Sequence, residues 1–221
     1  MIGFYNYTVI LTYLGLFSSV IGIGLSFEGY YLEAMFCLVI SGTCDMFDGV
    51  VARSCKTRSD HAKSFGIQID SLCDLICFGV FPGLFTYLYT INACNSDNFI
   101  MKYISFFIAF MFILCAVIRL GYFNVMEIER QKETSEVRKY YQGLPVTSIA
   151  GFLPFFFVFR NIIGADLFYI CLNIFIAVVA FLFVLNFKMP KPHKRGIIIM
   201  SIMGMCMLIV MTLQLLNIVS F

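Results

Sequence analysis

Long apolar stretches alternate with short polar connections along the whole chain. Each stretch is close to the roughly 20 apolar residues that a helix needs to cross a bilayer. The pattern predicts an all-α, polytopic integral membrane bundle of about seven transmembrane helices, with a range of six to eight, near residues 4–26, 30–53, 65–91, 100–125, 146–163, 166–187 and 196–220. Pro154 lies within the short stretch 146–163, which we therefore expect to be kinked, broken or shallow.

The chain shows no internal repeat, and residues 1–221 are expected to form one transmembrane domain. The first apolar stretch follows no basic segment and precedes no small-residue cleavage site, so we expect it to be retained. Hydrophobic residues make up 61% of the chain and charged residues 13%, whereas soluble domains carry about 25% charged residues. The net charge of +2 is too small to indicate nucleic-acid binding.

Basic residues concentrate in three connections, which alternate with the nearly neutral connections 92–99 and 164–166. By the positive-inside rule these basic connections lie in the cytoplasm, which predicts a protein of the cytoplasmic (inner) membrane. Such loops can serve topology and solvation alone, or can also hold phosphates. The residues concerned are Arg53, Lys56, Arg58, Lys63, Arg130, Lys132, Arg138, Lys139, Lys188, Lys191, Lys194 and Arg195.

The nine cysteines mostly lie within apolar stretches and are expected to be small buried hydrophobic residues. Cys73 and Cys77 are four positions apart and could share a helix face. Two thiols without a second pair or a nearby histidine make a poor zinc signature.

Four carboxylates lie inside the second and third apolar stretches, where an ordinary membrane helix would avoid them: Asp45, Asp48, Asp70 and Asp74. One charge at a helix centre costs about 2.5–3.5 kcal/mol on insertion scales. Helical residues turn by about 100° each, so the carboxylates share stripes with small residues and an arginine. The stripe on the second helix adds Gly49, Ala52 and Arg53, and that on the third helix adds Gly66.

The connection 54–64 makes these two helices antiparallel and brings the two aspartate pairs to similar depths, roughly 6–13 Å inside the cytoplasmic ends. Four facing carboxylates cannot all stay ionised without cations. Two divalent ions would balance them, and oxygen ligands favour Mg²⁺ or Mn²⁺. A paired-metal site is suited to in-line displacement at phosphorus. Alternatively, the aspartates pair with Arg119 or Lys63, or line an ion pathway.

Written as a motif, these positions are Asp45-x2-Asp48-Gly49-x2-Ala52-Arg53-x12-Gly66-x3-Asp70-x3-Asp74, which resembles the signature of the CDP-alcohol phosphatidyltransferase family. Many members have a shorter spacing between the arginine and the next glycine, but the added residues fall in a polar loop that tolerates length changes.

The resemblance implies a role for each position of the motif. Asp45, Asp48 and Asp70 would hold a binuclear metal site, and Asp74 would act as general base towards the acceptor hydroxyl and complete the carboxylate set around the metals. The residues that would border the CDP moiety are Asp48, Gly49, Ala52, Arg53 and Gly66.

Further segments resemble the bacterial and archaeal phosphatidylserine synthases of this family, over about residues 30–150. They are Phe65 to Asp74 with Gln68 and Ser71, Phe78-Gly79-Val80, Pro82, Arg119-Leu120, Phe123-Asn124-Val125 and Tyr141 to Pro145. This likeness implies CDP-diacylglycerol as donor, L-serine as acceptor and a homodimer.

Four residues of these segments are candidates for binding the acceptor or a phosphate: Arg119, Asn124, Gly143 and Pro145. Each has a simpler alternative. Arg119 could snorkel from the cytoplasmic end of its helix. Asn124 could cap or bond neighbouring backbone, and Gly143 to Pro145 could simply begin the next helix.

The function expected from the resemblance is transfer of a phosphatidyl group from CDP-diacylglycerol to L-serine, with release of CMP. One alternative is a sister enzyme that uses glycerol 3-phosphate or an inositol phosphate, whose pocket would need more cations. Another alternative is a cation transporter that uses the four aspartates as its ion site.

The basic connections make a prediction about topology. A cysteine introduced near Arg58 or Lys132 should be labelled by a membrane-impermeant reagent only from the cytoplasmic side, because these loops carry the positive charge. Positions near Asn95 should be labelled only from outside, and the opposite pattern would contradict the assigned orientation.

Overall fold

The computed structural model describes residues 9–54, 60–94, 98–133, 140–190 and 194–216. Helices account for nearly all of them. The α-helices are α1 (Ile10–Glu28), α2 (Tyr31–Ser54), α3 (Asp60–Asp74), α4 (Phe81–Ala93), α5 (Phe99–Glu133), α6 (Ile149–Val158), α7 (Arg160–Ile163), α8 (Ala165–Val184) and α9 (Lys194–Leu215). A π-helical segment, Leu75–Val80, joins α3 to α4, and a 3₁₀ turn, Val146–Ser148, precedes α6.

The predicted all-α membrane bundle is confirmed. Four helical stretches within the described residues are long and apolar enough to cross a bilayer, namely Ile10–Glu28, Ser64–Ala93, Phe99–Glu129 and Leu167–Val184. Two apolar helices, Val146–Val158 and Gly204–Leu215, are shorter. Helix α2 has 24 residues, and Asp45 and Asp48 interrupt its apolar sequence. Every predicted segment therefore contains a helix, while the number that cross the bilayer stays a prediction.

Aromatic side chains fill the centre of the bundle, and further large apolar side chains cover its outside. Phe78, Phe81, Phe85, Phe112 and Phe157 are buried. Outward-facing residues such as Phe17, Phe106 and Phe181 on α1, α5 and α8 are each at least 60% exposed. An apolar exterior around helices with internally satisfied backbone is the arrangement that a bilayer requires.

Small side chains allow α1 to pack closely on α2. The buried positions of α1 form one stripe, which consists of Thr12, Gly15, Ser18, Ser19, Gly22 and Ser26. Ser19 Oγ donates a hydrogen bond to Ser41 Oγ at 3.0 Å, and Ser18 Oγ donates to the Cys37 carbonyl at 2.9 Å. Small residues and hydroxyl bonds of this kind drive helix association in membranes.

The π-helical turn after Asp74 was not predicted. Pro82 lies at the start of α4, directly after this turn. Proline has no N–H to donate to the carbonyl four residues earlier, and its ring clashes with that carbonyl. The wider turn accommodates this defect, with the Phe81 N–H bonded to the Ile76 carbonyl. The predicted segment 65–91 is thus a continuous helix of three parts.

The predicted irregularity at 146–163 is confirmed. Helix α6 contains Pro154 and ends at Val158, and the four-residue helix α7 follows after Phe159. The described residues also contain one small departure from an all-helical chain. Strands β1 (Tyr140–Gln142) and β2 (Lys188–Pro190) pair in antiparallel register, with Tyr141 opposite Met189.

The close packing of α1 predicts a position-specific effect of one methyl group. Gly22→Ala should destabilise the protein by about 1–3 kcal/mol because it overpacks a filled site. Its Cβ would meet Phe81 Cζ at 2.4 Å and Cys37 Cβ at 2.9 Å. Thermal unfolding in detergent measures the effect.

Gly24→Ala is the matched control, since a Cβ there meets nothing within 4 Å. Equal melting temperatures for the two variants would contradict the packing described.

Candidate metal and active site

Three of the four intramembrane carboxylates meet at one point between α2 and α3. One carboxylate oxygen from each of Asp45, Asp70 and Asp74 lies within 4.8 Å of the others, and all three side chains are half-buried. The Asp45 and Asp74 carboxyl groups are therefore direct neighbours across the two helices. The predicted antiparallel meeting of the two aspartate pairs is therefore present in the structure.

Asp48 lies beside this group and is the most buried of the four, with 7% of its surface exposed. Its carboxyl group is close to that of Asp70 on α3. Helix α1 supplies a further partner, since Thr12 Oγ1 donates to Asp48 Oδ2 at 2.9 Å. We call Asp45, Asp48, Asp70 and Asp74 the acidic cluster.

The donor set of the acidic cluster fits divalent cations. Carboxylate oxygens are the preferred ligands of Mg²⁺ and Mn²⁺, and three helical positions place such oxygens close enough to share one ion. Like charges at this spacing repel one another inside an apolar bundle, and bound cations would remove that repulsion.

The small residues of the predicted nucleotide border are described in part. Gly49 and Gly66 are half-buried on α2 and α3, on the two helices that carry the acidic cluster. Ala52 and Arg53 continue α2, but their side chains lie outside the described residues, as does that of Lys63.

Asn124 is brought to the acidic side of α3 by a side-chain contact. Ser71 Oγ donates to Asn124 Oδ1 at 2.8 Å, and Ser71 directly follows Asp70. Asn124 thus has a side-chain partner on α3, 53 residues away along the chain. The same amide group also carries two N–H donors.

Arg119 is enclosed by the bundle. Helix α5 continues to Glu133, so Arg119 lies well inside the helix rather than at its end, and only 7% of it is exposed. Its Nε donates to the Leu144 carbonyl at 3.3 Å, and its guanidinium lies 5.8 Å from the Phe123 ring centre. The snorkelling interpretation is wrong, because the charge is enclosed by protein.

Gly143 and Pro145 form the turn that Arg119 supports. Gly143 has φ +71°, and its N–H donates to the Phe187 carbonyl at 2.7 Å. A Cβ there would lie 3.0 Å from the Leu185 carbonyl oxygen, so glycine is required. Pro145 precedes the 3₁₀ turn, and its carbonyl accepts bonds from the Ser148 hydroxyl and N–H. This turn thus begins the next helix, as the simpler alternative held.

The sequence interpretation missed Thr12 and the pairing role of Ser71. A signal for Thr12 existed, since small residues recur every three or four positions along α1 from Thr12 to Ser26. Among the described cysteines, all free thiols, the expected burial is confirmed in part: Cys73, Cys77, Cys94 and Cys115 are buried, Cys37, Cys44 and Cys171 are half-buried, and Cys206 is exposed.

Comparison with known proteins identifies the same family as the motif. The family described as CDP-alcohol phosphatidyltransferase matches residues 5–220. The chain is 32% identical over 117 residues to the archaetidylserine synthase of Methanothermobacter thermautotrophicus, covering 53% of the chain and 46% of that protein. It is 31% identical over 124 residues to the CDP-diacylglycerol–serine O-phosphatidyltransferase of Saccharomyces cerevisiae, covering 55% and 40%.

A longer alignment joins the chain to the protein of the same name from Methanocaldococcus jannaschii, with 29% identity over 186 residues, 84% of the chain and 73% of that protein. The alignments to the two relatives named before it span less than half of those proteins.

The contact between Thr12 and Asp48 predicts how α1 contributes to the site. Thr12→Val should weaken Mn²⁺ binding about tenfold, because partners that orient metal ligands typically contribute that much. Thr12→Ser keeps the hydroxyl and should bind Mn²⁺ like the original protein. Electron paramagnetic resonance of free Mn²⁺ gives both affinities.

Thr43→Val serves as the control, since the Thr43 hydroxyl donates at 2.8 Å to Val39 of its own helix. Unchanged Mn²⁺ affinity in Thr12→Val would show that Asp48 does not depend on Thr12.

Proposed function

Because the chain belongs to the CDP-alcohol phosphatidyltransferase family, we propose that it transfers a phosphatidyl group from CDP-diacylglycerol to L-serine and releases CMP. The acidic cluster supports the chemical part of this proposal, since three of the signature carboxylates meet between α2 and α3. The names of three relatives support serine as the acceptor.

The acidic cluster is proposed to hold two divalent cations, Mg²⁺ or Mn²⁺, through Asp45, Asp48, Asp70 and Asp74. When bound, such ions neutralise a pyrophosphate and stabilise CMP as leaving group. Thr12 keeps the Asp48 carboxylate in a fixed orientation by its hydrogen bond. Gly49, Ala52, Arg53 and Gly66 are proposed to border the CDP moiety, the glycines by leaving space and Arg53 by pairing with a phosphate.

Asp74 is proposed to act as the general base. It accepts the proton of the serine hydroxyl, and the hydroxyl oxygen forms a bond to the phosphorus that carries the diacylglycerol. The bond between that phosphorus and the CMP oxygen breaks, so that CMP leaves with the electron pair. A carboxylate can perform this role only within hydrogen-bond reach of the hydroxyl, and the position of Asp74 within the acidic cluster supports it.

The acceptor is proposed to lie beside Asn124, Arg119 and the turn from Gly143 to Pro145. Asn124 approaches α3 next to Asp70 and has amide donors for a polar substrate. Arg119 supplies a buried cation, which suits the serine carboxylate or a phosphate. Its bond to the Leu144 carbonyl positions this charge and the turn together.

The wider setting is proposed from charge and family. The acidic cluster is proposed to lie near the cytoplasmic face of the inner membrane, where soluble serine and CMP are exchanged, and the charge of the basic connections supports this. We also propose that residues 1–221 form one transmembrane domain and that the protein assembles as a homodimer.

Acceptor-dependent CMP release from purified protein tests the function. Serine with CDP-diacylglycerol and Mg²⁺ or Mn²⁺ should release CMP, and EDTA or Asp45→Asn should abolish the release. An ether-linked donor analogue forms a second arm, given the relative named archaetidylserine synthase. Release that depends on glycerol 3-phosphate or an inositol phosphate would indicate a sister enzyme, and metal flux without CMP would indicate a transporter.

Asp74 and Asp70 should differ in a way that separates base from ligand. Asp74→Asn should leave CDP-diacylglycerol binding largely intact and lower kcat by about 10²–10⁴-fold, the usual effect of losing a general base. Asp70→Asn should weaken binding as well, because the pyrophosphate depends on the metals for charge neutralisation. Direct binding and serine-dependent turnover provide the two measurements.

Glu28→Gln at the exposed end of α1 is the control for a lost carboxylate outside the site. Equal loss of binding in Asp74→Asn and Asp70→Asn would make Asp74 chiefly a metal ligand.

A further inference from the structure

A cavity of about 490 Å³ lies at the end of the bundle opposite the acidic cluster. The turn between α1 and α2, the second half of α4 and the α6–α7 break surround it. Glu33 on its wall lies twelve residues before Asp45 on α2, or about 18 Å along the helix axis. The cavity is therefore separate from the proposed catalytic site.

One wall of the cavity presents a fixed cation. Arg160 Nη1 donates to Gln214 Oε1 at 2.8 Å and to the Phe157 carbonyl at 3.5 Å, and the guanidinium lies 4.9 Å from the Phe157 ring centre. Within the described part of the chain, its Nε and Nη2 groups have no hydrogen-bond partner. A half-buried guanidinium with unused donors is a ready site for a phosphate.

Two further polar groups face the same space without a partner among the described residues. The Tyr89 hydroxyl forms no hydrogen bond there, whereas the neighbouring Tyr31 hydroxyl donates to the Leu88 carbonyl and accepts from Asn92. Glu33 lines the same cavity as Arg160, and no direct ion pair joins these two described residues. The Arg160 cation, the Tyr89 hydroxyl and the Glu33 carboxylate therefore line the same cavity.

Apolar side chains surround the cavity at this end of the bundle. Phe27, Tyr30 and Ile162 are 63%, 53% and 60% exposed. Aromatic and aliphatic residues in this position contact lipid near the membrane boundary. A ligand that combines a polar headgroup with acyl chains therefore matches both parts of the surface.

We propose that this cavity binds the headgroup of an aminophospholipid from the leaflet opposite the catalytic site. The phosphate lies against Arg160 and the Tyr89 hydroxyl, and the ammonium group donates to Glu33. Glu33 lies in the first turn of α2, where the helix dipole favours a carboxylate, so the anionic side of the cavity does not depend on an ion pair with Arg160.

Native mass spectrometry of purified protein with dioleoyl-phosphatidylethanolamine or dioleoyl-phosphatidylglycerol tests the proposal. The protein should retain the ethanolamine lipid more strongly than the glycerol lipid. Glu33→Gln should remove this preference, because it should weaken retention of the ethanolamine lipid about tenfold, the usual effect of losing a charged hydrogen bond. Tyr89→Phe and Arg160→Gln should weaken retention of both lipids. Equal retention of both lipids by the original protein, or an unchanged preference in Glu33→Gln, would overturn the proposal.

Matched variants distinguish a specific effect at the cavity from a general change in charge or in folding. Lys102→Gln removes a cation at the same end of the bundle and should leave the retention of both lipids unchanged. Arg160→Gln loses the bond to Gln214 and is checked by thermal unfolding, whereas Glu33→Gln and Tyr89→Phe leave that bond intact.

Two further arms identify the site and the source of the ligand. Asp70→Asn should retain the lipid preference, since the cavity is independent of the proposed catalytic activity. Loss of the preference in Asp70→Asn would place the lipid in the catalytic site and overturn the proposal. Binding of free phosphoethanolamine as tightly as the lipid would overturn the lipid assignment in favour of a soluble ligand.

Discussion

Electrostatic repulsion among four carboxylates inside an apolar bundle is the constraint on which the architecture depends. Asp45, Asp70 and Asp74 present oxygens within 4.8 Å of one another, and burial of unbalanced charges costs several kcal/mol per ion. Neighbouring helices accommodate this cost in specific ways. Helix α1 approaches closely enough for Thr12 to bond Asp48, and that approach requires the small residues at Gly15 and Gly22. The packing of α1 and the arrangement of the acidic cluster therefore depend on each other.

Most of the acidic cluster could be predicted from the sequence, because helix periodicity and loop length determine where its carboxylates lie. Asp70 and Asp74 lie one turn apart on a helix, and the short connection between α2 and α3 forces an antiparallel return. These two facts bring Asp45 and Asp74 together without any knowledge of the rest of the fold. The break in the segment that contains Pro154 was equally predictable, since proline kinks or breaks a helix wherever it lies inside one.

Other features required tertiary information. The apolar run ends near Val125 because Glu127 and Glu129 follow it, but α5 continues to Glu133, since polarity ends a membrane span and not a helix. The burial of Arg119 against the turn at Leu144 likewise depends on residues far along the chain. The partner of Asp48 lies 36 residues away on another helix, and no local pattern connects the two. The π-helical turn arises from Pro82 and from the aromatic core that Phe78 and Phe81 enter.

That turn has a consequence for chain length. A π-helical turn accommodates one more residue than an α-helical turn, and the helical faces on either side keep their relative orientation. Deletion of one residue between Leu75 and Val80 would return the turn to α-geometry with Asp74 still directed at α2 and Phe85 still in the core. A deletion elsewhere in α3 would rotate the carboxylates by about 100°. The segment Leu75–Val80 is therefore the place in this helix where an evolutionary deletion of one residue would leave the acidic cluster intact.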